Sequence, residues 1–306
     1  MSIVVEQATL LGPRKSMVGV ISTSEACADH PDRPTIVILN SGIIHRVGTN
    51  RMTVALARAL ASCGHTVVRF DLSGIGDSAP RPDGLPPLEA ELADIREVLD
   101  SLESMRRTRR FVLAGLCSGA DFSIVYAGSD PRVVGLVLMD PTIPRTARYY
   151  LRYYGSRLTR FRPWISIFRG RHPIWKMLRE RLGESSRRSA SDQDPVDANG
   201  PDPDSPQVRE FLARAYGSAI AGGLQIYAIF TAGIENRHNY RNQLIDAFPL
   251  VPFGTQLKLE YFRDSDHMFT SEAERERLID LVRDWADQTI HTARDPDPAH
   301  QKSSAS

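Results

Sequence analysis

The chain has little cysteine, no excess charge of either sign and no long apolar run. Its 306 residues include three cysteines, Cys27, Cys63 and Cys117. The number is odd, the spacing is wide and no C-x-x-C pair occurs, which argues against a disulfide framework or a zinc site and fits a reducing compartment. Lys and Arg (38) nearly balance Asp and Glu (37), leaving a formal net charge of +1. Nothing in that balance points to nucleic acid or a membrane surface as the main partner. No window of roughly 18 apolar residues occurs, and the opening MSIVVEQATLLGPRK lacks the basic and apolar segments of a secretory leader. A cytoplasmic protein is expected, with no nucleic acid bound, no stable membrane insertion, no cofactor and no metal.

What is present is enough apolar material, 42% of residues, to bury a full core as one large domain or one domain with an insertion. Short β-branched runs at Ile3 to Val5 and Val18 to Ser22 read as an opening hairpin or meander. Strand and helix then alternate. Thr35 to Asn40 is the uninterrupted apolar run expected of a strand buried on both faces, and Thr66 to Phe70, the apolar run Phe111 to Leu113 and Val133 to Met139 read as further strands. Met52 to Cys63 and Leu88 to Met105 carry apolar residues at helical spacing, the first stopping at Gly64. This alternation predicts an α/β fold with a largely parallel sheet and helices on both faces.

The alternation breaks at Ile143. From Thr146 to about Leu182 the chain is aromatic and basic, and 184–206 is polar, rich in Ser, Asp and Pro and expected to be a flexible loop. Gln207 to Ile220 reads as the helix that closes this insertion. Strands resume at Leu224 to Thr231 and Leu257 to Phe262, followed by an amphipathic helix from Glu272 to Gln288. The expected division is a core of 1–143 and 223–290, a cap of 144–222, and a disordered tail of 291–306.

The stretch that organises the rest is Arg110 to Ser123, RFVLAGLCSGADFS. An apolar strand runs into Gly115-Leu-Cys-Ser-Gly119 and then into a helix-forming sequence. Glycines two residues before and after Cys117 meet the steric demand of a sharp strand-to-helix turn with a nucleophile at its apex. Ser118 competes for that role, but its own flanks, Leu116 and Ala120, fit the turn less well. The bland alternative is a small buried cysteine in a glycine-rich turn.

A cysteine nucleophile needs a base and a group that orients the base. In such a sheet both follow the nucleophile in the chain, each on a loop after a strand. His267 lies after the last strand and before the last helix, where the base belongs; His238 stands too early. Glu235, just past Leu224 to Thr231, is the favoured acid, and Asp140, closing the preceding strand, is the alternative. Backbone N–H groups of Ser118 and Ile43 are the candidate oxyanion hole. His45 and Arg46 are near enough in sequence to touch substrate.

Together, Ser41-Gly-Ile43, Asp71-Leu-Ser-Gly-Ile-Gly-Asp-Ser78, Gly115 to Gly119, Glu235 and Asp266-His267 resemble the α/β-hydrolase superfamily from Thr35 to about Gln288, the insertion apart. The resemblance implies an eight-stranded, mostly parallel sheet with a helical cap over the site. The chain departs from the usual pattern in carrying Ser41 where a His commonly precedes the oxyanion glycine, and Cys117 where the nucleophile is commonly Ser, as in dienelactone hydrolases. Leu39 to Gly48 and Gly115 to Ala120 are further similar to small hydrolases associated with exosortase and exopolysaccharide gene clusters. The expected activity is hydrolysis of a thioester or carboxylic ester through an S-acyl enzyme on Cys117. The basic cap suggests an acyl substrate carried on coenzyme A or an acyl carrier protein. An acyltransferase on the same scaffold and a non-catalytic binding protein are the other readings.

Overall fold

Strand positions alternate between two cores in the computed structural model of the chain, which describes residues 3–28, 30–106, 108–158, 202–234 and 237–289. On the β-strand Phe111–Leu116, Phe111 and Leu113 point into one cluster while Val112, Ala114 and Leu116 point into the other. Val133–Met139 repeats the pattern, with Leu136 and Leu138 opposite Val137 and Met139. This period of two, with both phases apolar, explains why these strands read as continuous hydrophobic runs.

Eight strands form one sheet: β1 (Val4–Leu11), β2 (Met17–Ser24), β3 (Thr35–Ile38), β4 (Val67–Phe70), β5 (Phe111–Leu116), β6 (Val133–Met139), β7 (Gln225–Thr231) and β8 (Leu257–Phe262), in the order β1-β2-β4-β3-β5-β6-β7-β8. β1 and β2 pair antiparallel, β2 pairs antiparallel with β4, and every later pairing is parallel. The opening hairpin is longer than the sequence suggested, because Val4 to Leu11 pairs residue for residue with Ser24 to Met17.

Among the described residues the α-helices are α1 (Met52–Ser62), α2 (Pro87–Arg106), α3 (Ser118–Ala127), α4 (Ala147–Leu158), α5 (Pro206–Ala221), α6 (Gln243–Ala247) and α7 (Glu272–Thr289). α1 and α7 cover one face through Leu56, Leu60, Leu278, Val282 and Trp285. α2, α3, α5 and α6 cover the other, with Leu99, Ile124, Tyr216 and Leu244 among the buried side chains. The helix expected to close the insertion, α5, thus belongs to the core layer: Leu212, Tyr216, Ala219 and Ile220 are buried beneath it. Of the expected cap, α4 and the end of the polar loop from 202 are described; most of the basic aromatic segment, 184–201 of the polar loop and the tail of 291–306 lie outside the described residues. Because β3 to β8 run parallel, the loops after them meet at one end of the sheet, where binding sites of open α/β sheets form.

Candidate active site

The turn between β5 and α3 places Cys117 at φ 55°, ψ −121°, a strained backbone for a residue with a Cβ. The flanking glycines make the turn feasible by close approach. A Cβ on Gly115 would overlap the backbone of Gly119, and one on Gly119 would overlap the carbonyl of Asn40. Cys117 N–H donates to the Met139 carbonyl at 2.9 Å, and its own carbonyl accepts from Ala120 and Asp121 as α3 begins. The sulfur therefore stands at the N-terminus of α3, above the centre of the sheet, on a half-buried side chain. Ser118 is the first helical residue, and its Oγ accepts the Gly42 N–H at 2.6 Å.

Asp140 closes β6, the strand beside β5, and is 1% exposed. It too has a positive φ, 47°. Thr231 at the end of β7 secures its carboxylate, donating its N–H to Oδ1 and its hydroxyl to Oδ2, both at 2.7 Å. His267 from the loop after β8 brings Nδ1 to 2.8 Å from Oδ2 of Asp140. The carboxylate seen against His267 is that of Asp140, the alternative acid of the sequence reading; the favoured Glu235 lies outside the described residues. The physical reason is sheet order: β6 lies directly beside the elbow strand, and a carboxylate at its end needs no long reach to an imidazole over the same strand ends.

His267 also hydrogen-bonds Cys117. With Nδ1 held by Asp140, Nε2 is the nitrogen left for the sulfur. Burial opposes protonation of this ring, but the hydrogen bonds to Asp140 and Cys117 and the negative charge at both outweigh it, pushing His267 up to about 9. Burial likewise works against ionisation of Asp140, yet contacts with His238, His267 and Thr231 hold its carboxyl below the usual carboxylate range.

Three neighbours were not legible as site residues. His238, 1% exposed, brings Nε2 to 3.1 Å from the other oxygen of Asp140, with its ring edge-on to Phe230. Arg237 places Nη1 4.0 Å from Cys117 Sγ. Asp121, in the first turn of α3, accepts from Thr142 N–H and hydroxyl at 2.7 Å each, and its burial raises its pKa. One sequence signal existed for this region: Gly233 in the loop after β7, where a Cβ would come within 2.6 Å of His267 N, so the loop carrying Arg237 and His238 packs against the histidine loop.

The loop after β3 turns tightly, with Ile44 N–H bonded to the Ser41 carbonyl at 3.0 Å and Gly42 at φ 52°. Gly42 N–H is taken by Ser118 Oγ, whereas Ile43 N–H and Ser118 N–H meet no acceptor among the described residues. Arg46 is committed elsewhere than to a ligand: its guanidinium binds buried Asp71 and reaches Asp77 at 2.8 Å. His45 accepts Val47 N–H at Nδ1 and faces Asp77 with Nε2, at 3.2 Å in both cases. His45, Asp71 and Asp77 offer ligand atoms within 4.8 Å of one another, but the Arg46 guanidinium already supplies the positive charge on both carboxylates, so this triangle is an ion-pair cluster that stiffens the loop. Beneath it lies a small pocket lined by Ile38, Ile44, Met52, Leu116 and Met139, next to the elbow.

The sheet order and the elbow define the α/β-hydrolase fold. Residues 16–223 match the model of one of its families, serine aminopeptidase S33, and the chain belongs to that family. A putative α/β hydrolase of unknown function from Agrobacterium tumefaciens superposes with a TM-score of 0.54 at 14% identity, over 94% of this chain and 97% of that one. An esterase of Pyrococcus furiosus does so at 0.52 and 12%, over 94% and 90%. A proline iminopeptidase of Mycobacterium smegmatis does so at 0.51 and 14%, over 95% and 100%. At these identities the likeness concerns fold. No curated protein sequence matches the chain. Among the described residues, no helix is long and apolar enough to cross a membrane.

Proposed function

We propose that the protein hydrolyses a thioester or carboxylic ester through an S-acyl enzyme, with Cys117 as nucleophile, His267 as acid and base, and Asp140 orienting His267. The observation that carries this reading is the single imidazole bonded at once to Asp140 and to the elbow cysteine. Sulfur, with its proton already passed to His267 Nε2, bonds to the acyl carbon. Collapse of the tetrahedral adduct breaks the bond to the leaving group, which departs with that proton. Water then gives a proton to His267, its oxygen bonds to the acyl carbon, the carbon–sulfur bond breaks and the thiol is restored. Ser118 N–H and Ile43 N–H, both without acceptors among the described residues, are the donors that would receive the oxyanion. Loss of one such donor costs about 2.7–4 kcal/mol of transition-state stabilisation.

The raised pKa of His267 fits this sequence. Two of its causes, the bond to Cys117 and the charge there, vanish once sulfur is acylated, so the ring becomes a better base when water must be activated. Ser118 is the alternative nucleophile suggested by the family name, but its hydroxyl already holds Gly42. Delivery of the acyl group on coenzyme A or an acyl carrier protein, a cytoplasmic setting, and a place beside exosortase-associated hydrolases belong to the same proposal; the last is carried by two loop segments. Turnover of acyl-coenzyme A thioesters and p-nitrophenyl esters by wild type, C117A and S118A tests it. C117A should lose about three orders of magnitude or more, and S118A should retain acyl-enzyme formation; wild-type turnover in C117A would reject the mechanism. Adding an alcohol acceptor separates hydrolysis from acyl transfer.

A further inference from the structure

Arg237 is a half-buried cation that the triad does not use. Several other partly buried arginines are matched with carboxylates, Arg46 with Asp71 and Asp77, Arg81 with Asp83, Asp94 and Glu97, and Arg132 with Asp130 and Glu103, whereas Arg209 and Arg275 bond backbone carbonyls. Among the described residues Arg237 has no such ion pair; its guanidinium reaches Cys117 Sγ at 4.0 Å. Asp121 acts on it only at longer range, and that carboxylate is already taken by Thr142.

A guanidinium partly shielded from water is stabilised most by an anion beside it. In the resting site, sulfur that has passed its proton to His267 can serve. Once the acyl carbon bonds to sulfur, that charge is gone and Arg237 faces the acyl group uncompensated. The anion that replaces it must sit within a few bonds of the scissile carbonyl, because the guanidinium lies so close to the sulfur. Phosphates of coenzyme A are a whole pantetheine arm away from a thioester and cannot meet this demand. We propose that Arg237 is an anion subsite of the active site and that the acyl group carries its own carboxylate near the scissile carbonyl, as in half-esters and half-thioesters of short dicarboxylic acids. This rests on the acyl-enzyme reading of Cys117. A guanidinium is suited to the task because its fork binds a carboxylate through two parallel hydrogen bonds.

The test compares succinyl- and butyryl-coenzyme A, which share one carrier and differ in the acyl charge, on wild type, R237Q, R237K and C117A. In parallel, succinamate or butyramide is tested for protection of Cys117 against iodoacetamide, a readout that needs no turnover. Wild type should favour the succinyl thioester in kcat/KM by about tenfold or more, the order supplied by a charge-assisted hydrogen bond. R237K should keep part of that preference and R237Q should lose it. Succinamate should slow alkylation of the wild-type thiol at concentrations where butyramide does not. A preference untouched in R237Q, or equal protection by the two amides, would overturn the subsite. Hydrolysis that depends on Cys117 but shows no acyl-charge preference removes the subsite and leaves the hydrolase reading; succinamate protection with turnover unchanged in C117A does the reverse.

Discussion

The chemistry of this site turns on how two strained residues are held. Cys117 and Asp140 both have positive φ; backbone bonds fix Cys117, and the Thr231 N–H and hydroxyl fix the Asp140 carboxylate that faces His267. One consequence is measurable by NMR titration of the His267 ring. Wild type should show a midpoint near 9, and D140N should bring it down, because the hydrogen bond and charge that Asp140 supplies are lost; an unchanged midpoint would show that Asp140 does not act on the ring. The same shift bears on stability. A histidine raised in the folded state contributes stability that is present in full below its unfolded value of about 6.5 and is lost as pH rises through about 9. The alkaline side of the stability profile should therefore soften through that window in wild type, and D140N should flatten this component in urea titrations. His238 shares the Asp140 carboxylate from its other side, so it positions the acid without touching the sulfur.

At the scale of elements, the site is a set of loops gathered at the ends of β3, β5, β6, β7 and β8, and the β5–α3 turn is the tightest of them. Gly115 and Gly119 pass so close that G115A must push α3 off its strand. Strain of this kind costs about 1–3 kcal/mol, and urea unfolding should register it together with a loss of Cys117 alkylation by iodoacetamide; an unstrained, fully reactive G115A would contradict the elbow geometry. The elbow was legible in the sequence because its demands are local: small residues at fixed offsets around an apex. The histidine was legible for a similar reason, since a loop between the last strand and the last helix leaves few candidates. The acid was not. Glu235 and Asp140 both follow strands, and choosing between them requires knowing that β6 lies beside β5 and that Thr231 and His238 converge on Asp140. Arg237 was hidden for the same reason, as an arginine in a loop carries no signature until its neighbours are in place.

Across the whole molecule, an eight-stranded sheet with two separate cores makes the site rigid, and each core depends on its own helices. Trp285 of α7 is 2% exposed, stacks on Tyr227 of β7 at 5.8 Å and fills the space over Gly135. W285A should cost about 3–5 kcal/mol in denaturant unfolding, and a cost well under 1 kcal/mol would show that α7 is not integral to that face. Fold class was readable from the alternation of apolar runs and amphipathic segments, because layer architecture follows from which faces must be buried. The role of α5 was not, since a helix between an insertion and a strand can belong to either, and only its buried Leu212 and Tyr216 place it in the core layer. The account as a whole is tested most directly by stopping turnover of an acyl-coenzyme A thioester in its first cycle and mapping the acyl group by peptide mass spectrometry. The acyl mass is expected on the sulfur of Cys117; finding it on Ser118, or finding rapid turnover with neither residue modified, would contradict the mechanism.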